Sequence, residues 1–553
     1  MLAIISLVGV DLPFADGWDT PGGLLEAGLD GRLGPTDFFE QHNESRPLFP
    51  RLFFYVFAHV FGWHPKAFML LSWVVTVSVA CLASRWLVAL GRGPLPLWGA
   101  FVVSSFLFSL AQYANFLWGI QCVVFIPSLC LVLALEVARC VASYRAVFAS
   151  TIVLCVLATF SYANGMLLWL VAAPFFVLVA AWRKGEFESA RGWAGVYVLC
   201  GAVSLLCYFS DYSRPPTHAS MMAGLEDPLS ALVFFASWVG APFSDVFWGL
   251  DDAPWAGAGL LCSAVVALAL LFGRVAQEGG GAVLRLAAPW LALLAYGVIS
   301  GLVTTVGRVG DGPQAALAQR YAMQVVWVPI GVTGVVCVLR MRPGARVSWG
   351  RASFERVLLA VLSGFALVSW LNGAVQIEQY DKQLRQNALS LALIDSLPEN
   401  PLLARIHPIP RDVVRRAHRL GEQGLLSVPR LGSWVTDAPR GIELADGRVR
   451  VRSFDDPQTK RRQLLVEGTA RIPETGRPAD AVLLARVEEE GREAAWTALV
   501  VRDRDESSGE RVGFRDVIEV PLALDPSRIR AFAIDEVGRR SYRLRNRLQG
   551  TGP

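Results

Sequence analysis

Charge is what this sequence has least of. Only 18% of its 553 residues are Asp, Glu, Lys or Arg, 54% are hydrophobic, and the mean hydropathy is +0.43, outside the range of soluble globular chains. That shortage excludes an ordinary soluble protein and predicts a multispanning membrane protein. A formal net charge of +4 is too small to imply nucleic acid as a partner. Cysteine is absent from the C-terminal part: all nine cysteines, from Cys81 to Cys337, lie in or beside apolar blocks. This excludes a disulfide or zinc framework and predicts buried thiols. Met1 to Phe14 lacks a basic n-region and a small-residue cleavage site, so no cleavable signal peptide is expected. At about 1.5 Å per residue that stretch spans only about 20 Å of a roughly 30 Å hydrocarbon core, which predicts a first helix whose beginning is omitted.

What the sequence does have is an uneven distribution. Apolar blocks run to about Asn372, whereas Arg440 to Asn546 reads as charged, soluble sequence. Blocks long enough to span fall near 67–90, 97–113, 119–138, 146–162, 166–182, 193–209, 254–273, 286–305, 321–339 and 354–373. With the N-terminal helix these predict about eleven transmembrane helices. Alternate connections hold Arg92, Arg139, Arg145, Arg183, Lys184, Arg191, Arg274, Arg285, Arg340, Arg342, Arg346 and Arg351, which makes that face cytoplasmic by the positive-inside rule. The Pro-broken segment 228–249 is read as re-entrant or interfacial. The domain plan is therefore a transmembrane domain at 1–375 with an external first loop at 15–50, a helical connector at 376–438, and an external domain at 439–553. An inner (plasma) membrane, multi-pass location follows.

The unusual polar residues gather on the external face, where an inert bundle has no reason to sort them given the cost of charge near lipid. "FADGWDTPGG" places Asp16 and Asp19 three residues apart, so one helical turn presents both on one side. Such a pair can bind an acceptor hydroxyl and remove its proton, although Asp, Gly and Pro are also ordinary turn residues. "HNESRPLFPR" offers His42, Asn43, Glu44, Arg46 and Arg51: amide and carboxylate suit a hydroxyl-rich ligand, and arginine suits a phosphate. A divalent cation on His42 and Glu44 is conceivable, but no second histidine follows at ligand spacing. "QYANFLWGIQ" and "SYANGMLLW" share Tyr-Ala-Asn beside tryptophan. Aromatic belts explain the rings, Trp118 included; Gln112, Asn115, Gln121 and Asn164 point to sugar binding or to helix-to-helix hydrogen bonds. "GRVGDGPQAALAQRY" puts Arg308 and Arg320 on one external loop, with Arg320 and Tyr321 opening a span, a pair of cations suited to the phosphate of an amphiphile whose tail stays in the bilayer.

On these residues the sequence resembles the GT-C class of integral membrane glycosyltransferases, and more closely a bacterial group with a D-x-W-D-T-like first loop and an H-N-E-H-R-F/L-P-R-like segment. The matching residues are Asp16, Gly17, Trp18, Asp19 and Thr20, then His42, Asn43, Glu44, Arg46, Pro50 and Arg51, with Ser45 departing from the pattern. The resemblance covers the membrane part to about residue 375. It implies an enzyme that moves a hexosyl or pentosyl group, with inversion, from a polyprenyl-phosphate carrier to an external glycan, lipid or protein acceptor, with Asp16 matching the first acidic position of the class and Asp19 as the second candidate.

The tail divides in two. Glu378 to Gly424 reads as amphipathic helices broken by Pro398, Pro401, Pro408 and Pro410, connecting rather than catalysing. From Gly441, alternation in "GRVRVRSF", "QLLVEGTARI", "AVLLARVEE", "TALVVRDRD" and "FRDVIEVPLAL" predicts an antiparallel β-sandwich, serving either as an acceptor or glycan binder or as a packing lid. A transporter or flippase of lipid-linked sugars is the rival reading, though it would place its determinants near the membrane midplane, often within internal repeats, and no such repeat is visible. A non-catalytic envelope scaffold is the third.

Overall fold

The computed structural model describes the chain apart from residues 92–93, 142, 174–186, 215–222, 245–251, 279–280, 341–348, 429–440, 457–460, 474, 488–492, 502–511, 522–524, 536–539 and 549–553. Arg92, Arg183, Lys184, His218, Arg342 and Arg346 lie outside the described residues. Two compact units emerge. The first comprises Met1–Gly9, Leu33–Phe54 and Pro65–Glu378; the second comprises Val10–Arg32, Tyr55–His64 and Gln379–Pro553.

The first unit is helical because its sequence offers long apolar runs whose backbone groups can be satisfied only within helices. Eight helices among the described residues are long and apolar enough to cross a membrane: Pro65–Ala89, Pro94–Leu117, Gly119–Cys140, Gly192–Phe209, Ala253–Gln277, Gly281–Asp311, Gln319–Arg340 and Glu355–Ala392. They coincide with eight of the ten apolar blocks read from the sequence. The other two blocks correspond to shorter apolar helices, Tyr144–Thr159 and Ala163–Ala173, and two further short apolar helices occupy Leu48–Phe61 and Pro228–Phe243. The N-terminal helix is Leu2–Val8.

Gln319–Arg340 is the innermost span, its apolar stretch wholly covered by protein. Glycine makes this possible: a Cβ on Gly334 would lie 1.9 Å from Trp290, so only a residue without a side chain lets the two helices approach. Its C-terminal carbonyls are capped by the buried Arg274, which donates to Val338 and Leu339, each at 2.9 Å. A cation at that end of a helix also complements the macrodipole.

Among the described residues the C-terminal region of the second unit is a seven-stranded sheet: β1 (Gly441–Asp456), β2 (Arg461–Arg471), β3 (Ala481–Val487), β4 (Glu493–Val500), β5 (Gly513–Pro521), β6 (Ile529–Asp535) and β7 (Arg540–Leu548), in the order β4-β3-β6-β7-β1-β2-β5. Every pairing is antiparallel except β1 with β7. Alternation sets the faces. Val449, Val451, Leu464, Val466 and Tyr542 enter one buried cluster that draws on all seven strands, while Arg450 turns to Glu467 at 3.4 Å.

Two features differ from the expected sandwich. All seven strands share one hydrogen-bonded sheet, and the second face of β3, β4 and β6 is covered by Leu389, near the end of the Trp349–Ala392 helix, and by Leu393 and Leu397 in the turns that follow it. Gln386 also closes the outer edge of β4, donating to Ala498 O at 2.7 Å and accepting from Val500 N–H at 3.0 Å, which blunts an otherwise unpaired strand edge.

Candidate functional site

In the first unit the His42–Ser45 segment closes as a tight turn. His42 and Ser45 exchange both backbone hydrogen bonds, at 2.8 and 2.9 Å, and Asn43 sits at the turn with φ +51°, a conformation asparagine tolerates better than most residues. Ser45 Oγ accepts from Ala163 N–H at 3.1 Å, fastening the turn to the second Tyr-Ala-Asn segment. The Glu44 carboxylate pairs with Arg308, which also reaches Asp311 at 3.2 Å. The HNES turn, the SYAN segment and the Arg308 loop, more than a hundred residues apart in sequence, therefore meet.

Two of the candidate arginines have other work. Arg46 is buried and donates to the carbonyls of Tyr208 at 2.6 Å, Phe39 at 3.1 Å and Ser210, and to Asp211 Oδ1 at 2.5 Å. It caps the C-terminal end of the Phe187–Phe209 helix. Arg51, also buried, donates to the carbonyls of Asp37, at 3.1 Å, and Glu40. Both guanidinium groups are thus engaged by the backbone.

Arg320 stands apart. It is exposed at the head of the Gln319–Arg340 span; its hydrogen bond goes to the Tyr321 hydroxyl at 3.4 Å, with the guanidinium 5.2 Å from the centre of that ring, and among the described residues the carboxylate charge that acts on it is that of Glu44, which forms its own ion pair with Arg308. Burial pushes the Tyr162 phenol above its usual range; the charges of Arg320 and Arg308 oppose the rise, and Tyr321 and Glu44 add to it. Those couplings identify one polar locus containing Glu44, Tyr162, Arg308, Arg320 and Tyr321. Asn164 lies half-buried in the adjoining Ala163–Leu167 turn.

The amides separate by role. Gln112 is buried and caps the Pro94–Leu107 helix, donating to Phe106 O at 3.1 Å and Leu107 O at 2.9 Å. Asn115, equally buried, reaches Gln319 O at 3.4 Å. Gln121 is buried and Trp118 half-buried on the next turn. Sequence reading missed a second amide set. The Tyr113 hydroxyl donates to Gln376 Oε1 at 2.9 Å; Gln319 Nε2 donates to the same oxygen at 3.0 Å and to Tyr113; Gln376 Nε2 reaches Asn372 Oδ1 at 3.3 Å. The signal was there: Asn372 and Gln376, four apart on the last apolar span, share a helix face.

In the second unit Asp16 and Asp19 occupy one turn, the Asp16 carbonyl accepting the N–H groups of Asp19, at 3.1 Å, and Thr20, at 2.8 Å. Trp18 between them is fully buried, edge-on to Trp63. Asp16 is half-buried. Both oxygens of Asp19 accept from cationic or polar hydrogens: Oδ1 from Arg416 at 3.1 Å and Oδ2 from His407 Nε2 at 3.1 Å. His407 Nδ1 lies 3.2 Å from Ile409 N and 3.3 Å from Ile409 O, which holds the ring with Nε2 toward Asp19. Arg416 also holds Trp18 O at 2.6 Å.

This turn begins a charged seam. The Gly22–Leu29 helix lies beside the Pro410–Glu422 helix: Glu26 accepts from Arg415 at 2.7 Å and from Arg416 at 3.1 Å, and Asp30 pairs with Arg419. Burial alone would raise the Glu26 carboxyl, but the hydrogen bonds and charges of Arg415 and Arg416 together outweigh it and hold the group below the usual carboxylate range. The "RDVVRRAHRLGEQ" stretch, read as a connector, thus supplies the cations that order the D-x-W-D-T-like loop.

No family model, curated protein or solved structure matches this chain. Among the described residues, no three His, Cys, Asp or Glu side chains gather as a metal-binding group. The chemistry on offer is a cation at the head of an apolar span, carboxylates and a phenol around it, and a set of neutral amides.

Proposed function

We propose that this protein is a polyprenyl-phosphate-dependent glycosyltransferase of the GT-C type, with Arg320 holding the phosphate of the lipid-linked donor. The observation that carries this reading is Arg320 itself, an exposed guanidinium at the polar end of an apolar span, near Tyr162 and Arg308, where the nearby carboxylate of Glu44 is already paired with Arg308. A planar fork at that height suits a phosphate whose isoprenoid tail stays in lipid. In the transfer, the acceptor hydroxyl oxygen bonds to the anomeric carbon as the bond from that carbon to the phosphate oxygen breaks. Polyprenyl phosphate leaves with the electron pair, and the hydroxyl proton passes to the carboxylate assigned by the resemblance, Asp16. The acceptor is an external glycan, lipid or protein.

Arg320→Gln tests the clamp. A charge-assisted hydrogen bond contributes roughly 1.5–3 kcal/mol, so the substitution should weaken binding of a polyprenyl-phosphate analogue by about 10- to 100-fold, whereas Arg214→Gln, at an exposed loop position, should change it little. Equal effects in a binding titration on the purified protein would remove Arg320 from this role.

The orientation belongs to the same proposal. Eight long spans, Tyr144–Thr159, Ala163–Ala173 and the N-terminal helix make the eleven-span count, with Leu48–Phe61 and Pro228–Phe243 as interfacial elements, the polar locus and C-terminal region external, and the basic connections cytoplasmic. In a background without native cysteines, Ser507→Cys should react with an impermeant thiol reagent in intact spheroplasts and Ser348→Cys should not. The reverse pattern would invert the topology.

A further inference from the structure

The first unit holds a cavity of about 80 Å³ lined by Tyr113, Ser244, Gln319, Asn372 and Gln376, with Ala318 and other small apolar residues completing its wall. Among the described residues no charged side chain lines it. We infer that this cavity seats one neutral monosaccharide unit, the sugar of the lipid-linked donor, and so restricts the enzyme to uncharged hexoses or pentoses. This rests on the assignment of the donor phosphate to Arg320.

Size, chemistry and position each contribute. A water needs roughly 10–15 Å³ of such space, so the cavity takes about five to eight waters, close to the complement of polar atoms on one sugar and too few for a disaccharide. The lining is built for hydroxyls: two glutamines, an asparagine, a serine and a tyrosine hydroxyl converge, and the Tyr113–Gln319–Gln376–Asn372 hydrogen bonds hold them in fixed orientation. Gln319 gives its amide protons to Tyr113 and Gln376, and its Oε1 has no donor among the described residues. Oxygens of this kind take hydroxyl donors, whereas a carboxylate or phosphate brought here would lose its hydration without meeting a cation. Position ties the cavity to the lipid: wall residue Gln319 immediately precedes Arg320 in the Gln319–Tyr321 turn, and a sugar is joined directly to its phosphate. Gly373 keeps the wall in place, since a Cβ there would lie 1.9 Å from the Leu110 backbone.

The test uses the full chain in lipid nanodiscs and three probes: a polyprenyl phosphate without sugar, the same lipid carrying a neutral hexose or pentose, and the same lipid carrying a uronic acid. The neutral-sugar lipid should bind at least about tenfold more tightly than the bare lipid, the return expected from two or three hydroxyl hydrogen bonds, and the uronate should show no such gain. Gln376→Met removes the central amide, and Ala318→Leu fills the cavity without touching a hydrogen bond; either should erase the gain while leaving bare-lipid affinity within about twofold of the parent. A gain that survives in Ala318→Leu, or a uronate that binds as tightly as the neutral sugar, overturns the inference. If instead Arg320→Gln leaves bare-lipid binding unchanged, the phosphate assignment falls, and the sugar-dependent gain and its loss in the two variants still decide what the cavity holds.

Discussion

Asp16→Asn should lower sugar transfer by about 10²- to 10⁴-fold, the loss that follows removal of a general base, while donor binding and folding stay intact. Asparagine keeps the shape and the hydrogen-bonding capacity of aspartate and removes only its capacity to take a proton. The turn itself is held by backbone hydrogen bonds from Asp19 and Thr20 to the Asp16 carbonyl, which the substitution leaves in place. Asp19→Asn should impair transfer less, because both Asp19 oxygens already accept hydrogen bonds from Arg416 and His407; its work is to position the loop. The measurement is transfer from a polyprenyl-phosphate-linked donor alongside a donor-binding titration. An inactive Asp19→Asn with an active Asp16→Asn would exchange the two roles, and full activity in the double variant would reject the mechanism.

How much of this was legible depends on the range over which the determining interactions act. Apolar runs report the spans directly, because a helix that must satisfy its own backbone in lipid has a minimum length, and eight long helices fall where those runs lie. The polar clusters were also visible one by one. Their pairing was not: Glu44 meets Arg308 across 264 residues, and nothing local to either announces the other. Arg46 shows the limit in the opposite direction. Its neighbours suggested phosphate recognition, yet its hydrogen bonds go to three carbonyls and Asp211, and a helix end that needs a cap leaves no mark at the residue supplying it. In the C-terminal region five strands alternate clearly, whereas β7 reads "RSYRLRNRL", where arginines on one side mask the inward Tyr542 and Leu544. The layer over β3, β4 and β6 was hidden because Leu389, Leu393 and Leu397 belong to a stretch whose amphipathic pattern reads as a connector and names no surface that it covers.

The seam between the first loop and the Pro410–Glu422 helix carries the largest expected effect on stability. Glu26→Gln should destabilise the folded protein at neutral pH by about 3 kcal/mol, the lower end of what breaking a buried pair costs, since Arg416 is nearly buried while the Arg415 side chain is half in water. The acid-side behaviour follows from the direction of the Glu26 shift. Its carboxyl is held below the usual range in the folded state, so its contribution is fully present above the unfolded value of about 4.3 and is lost as pH falls through the lower folded value. Thermal unfolding of the full chain in detergent should therefore show a wide gap between the parent and Glu26→Gln at pH 7 that narrows steadily below about pH 4.3. Asp19 and Glu26 share Arg416, Glu26 also takes Arg415, and Asp30 takes Arg419, so these ion pairs hold the acidic loop to its cations. A gap between parent and variant that stays constant down to pH 3 would show that Glu26 acts through packing rather than charge.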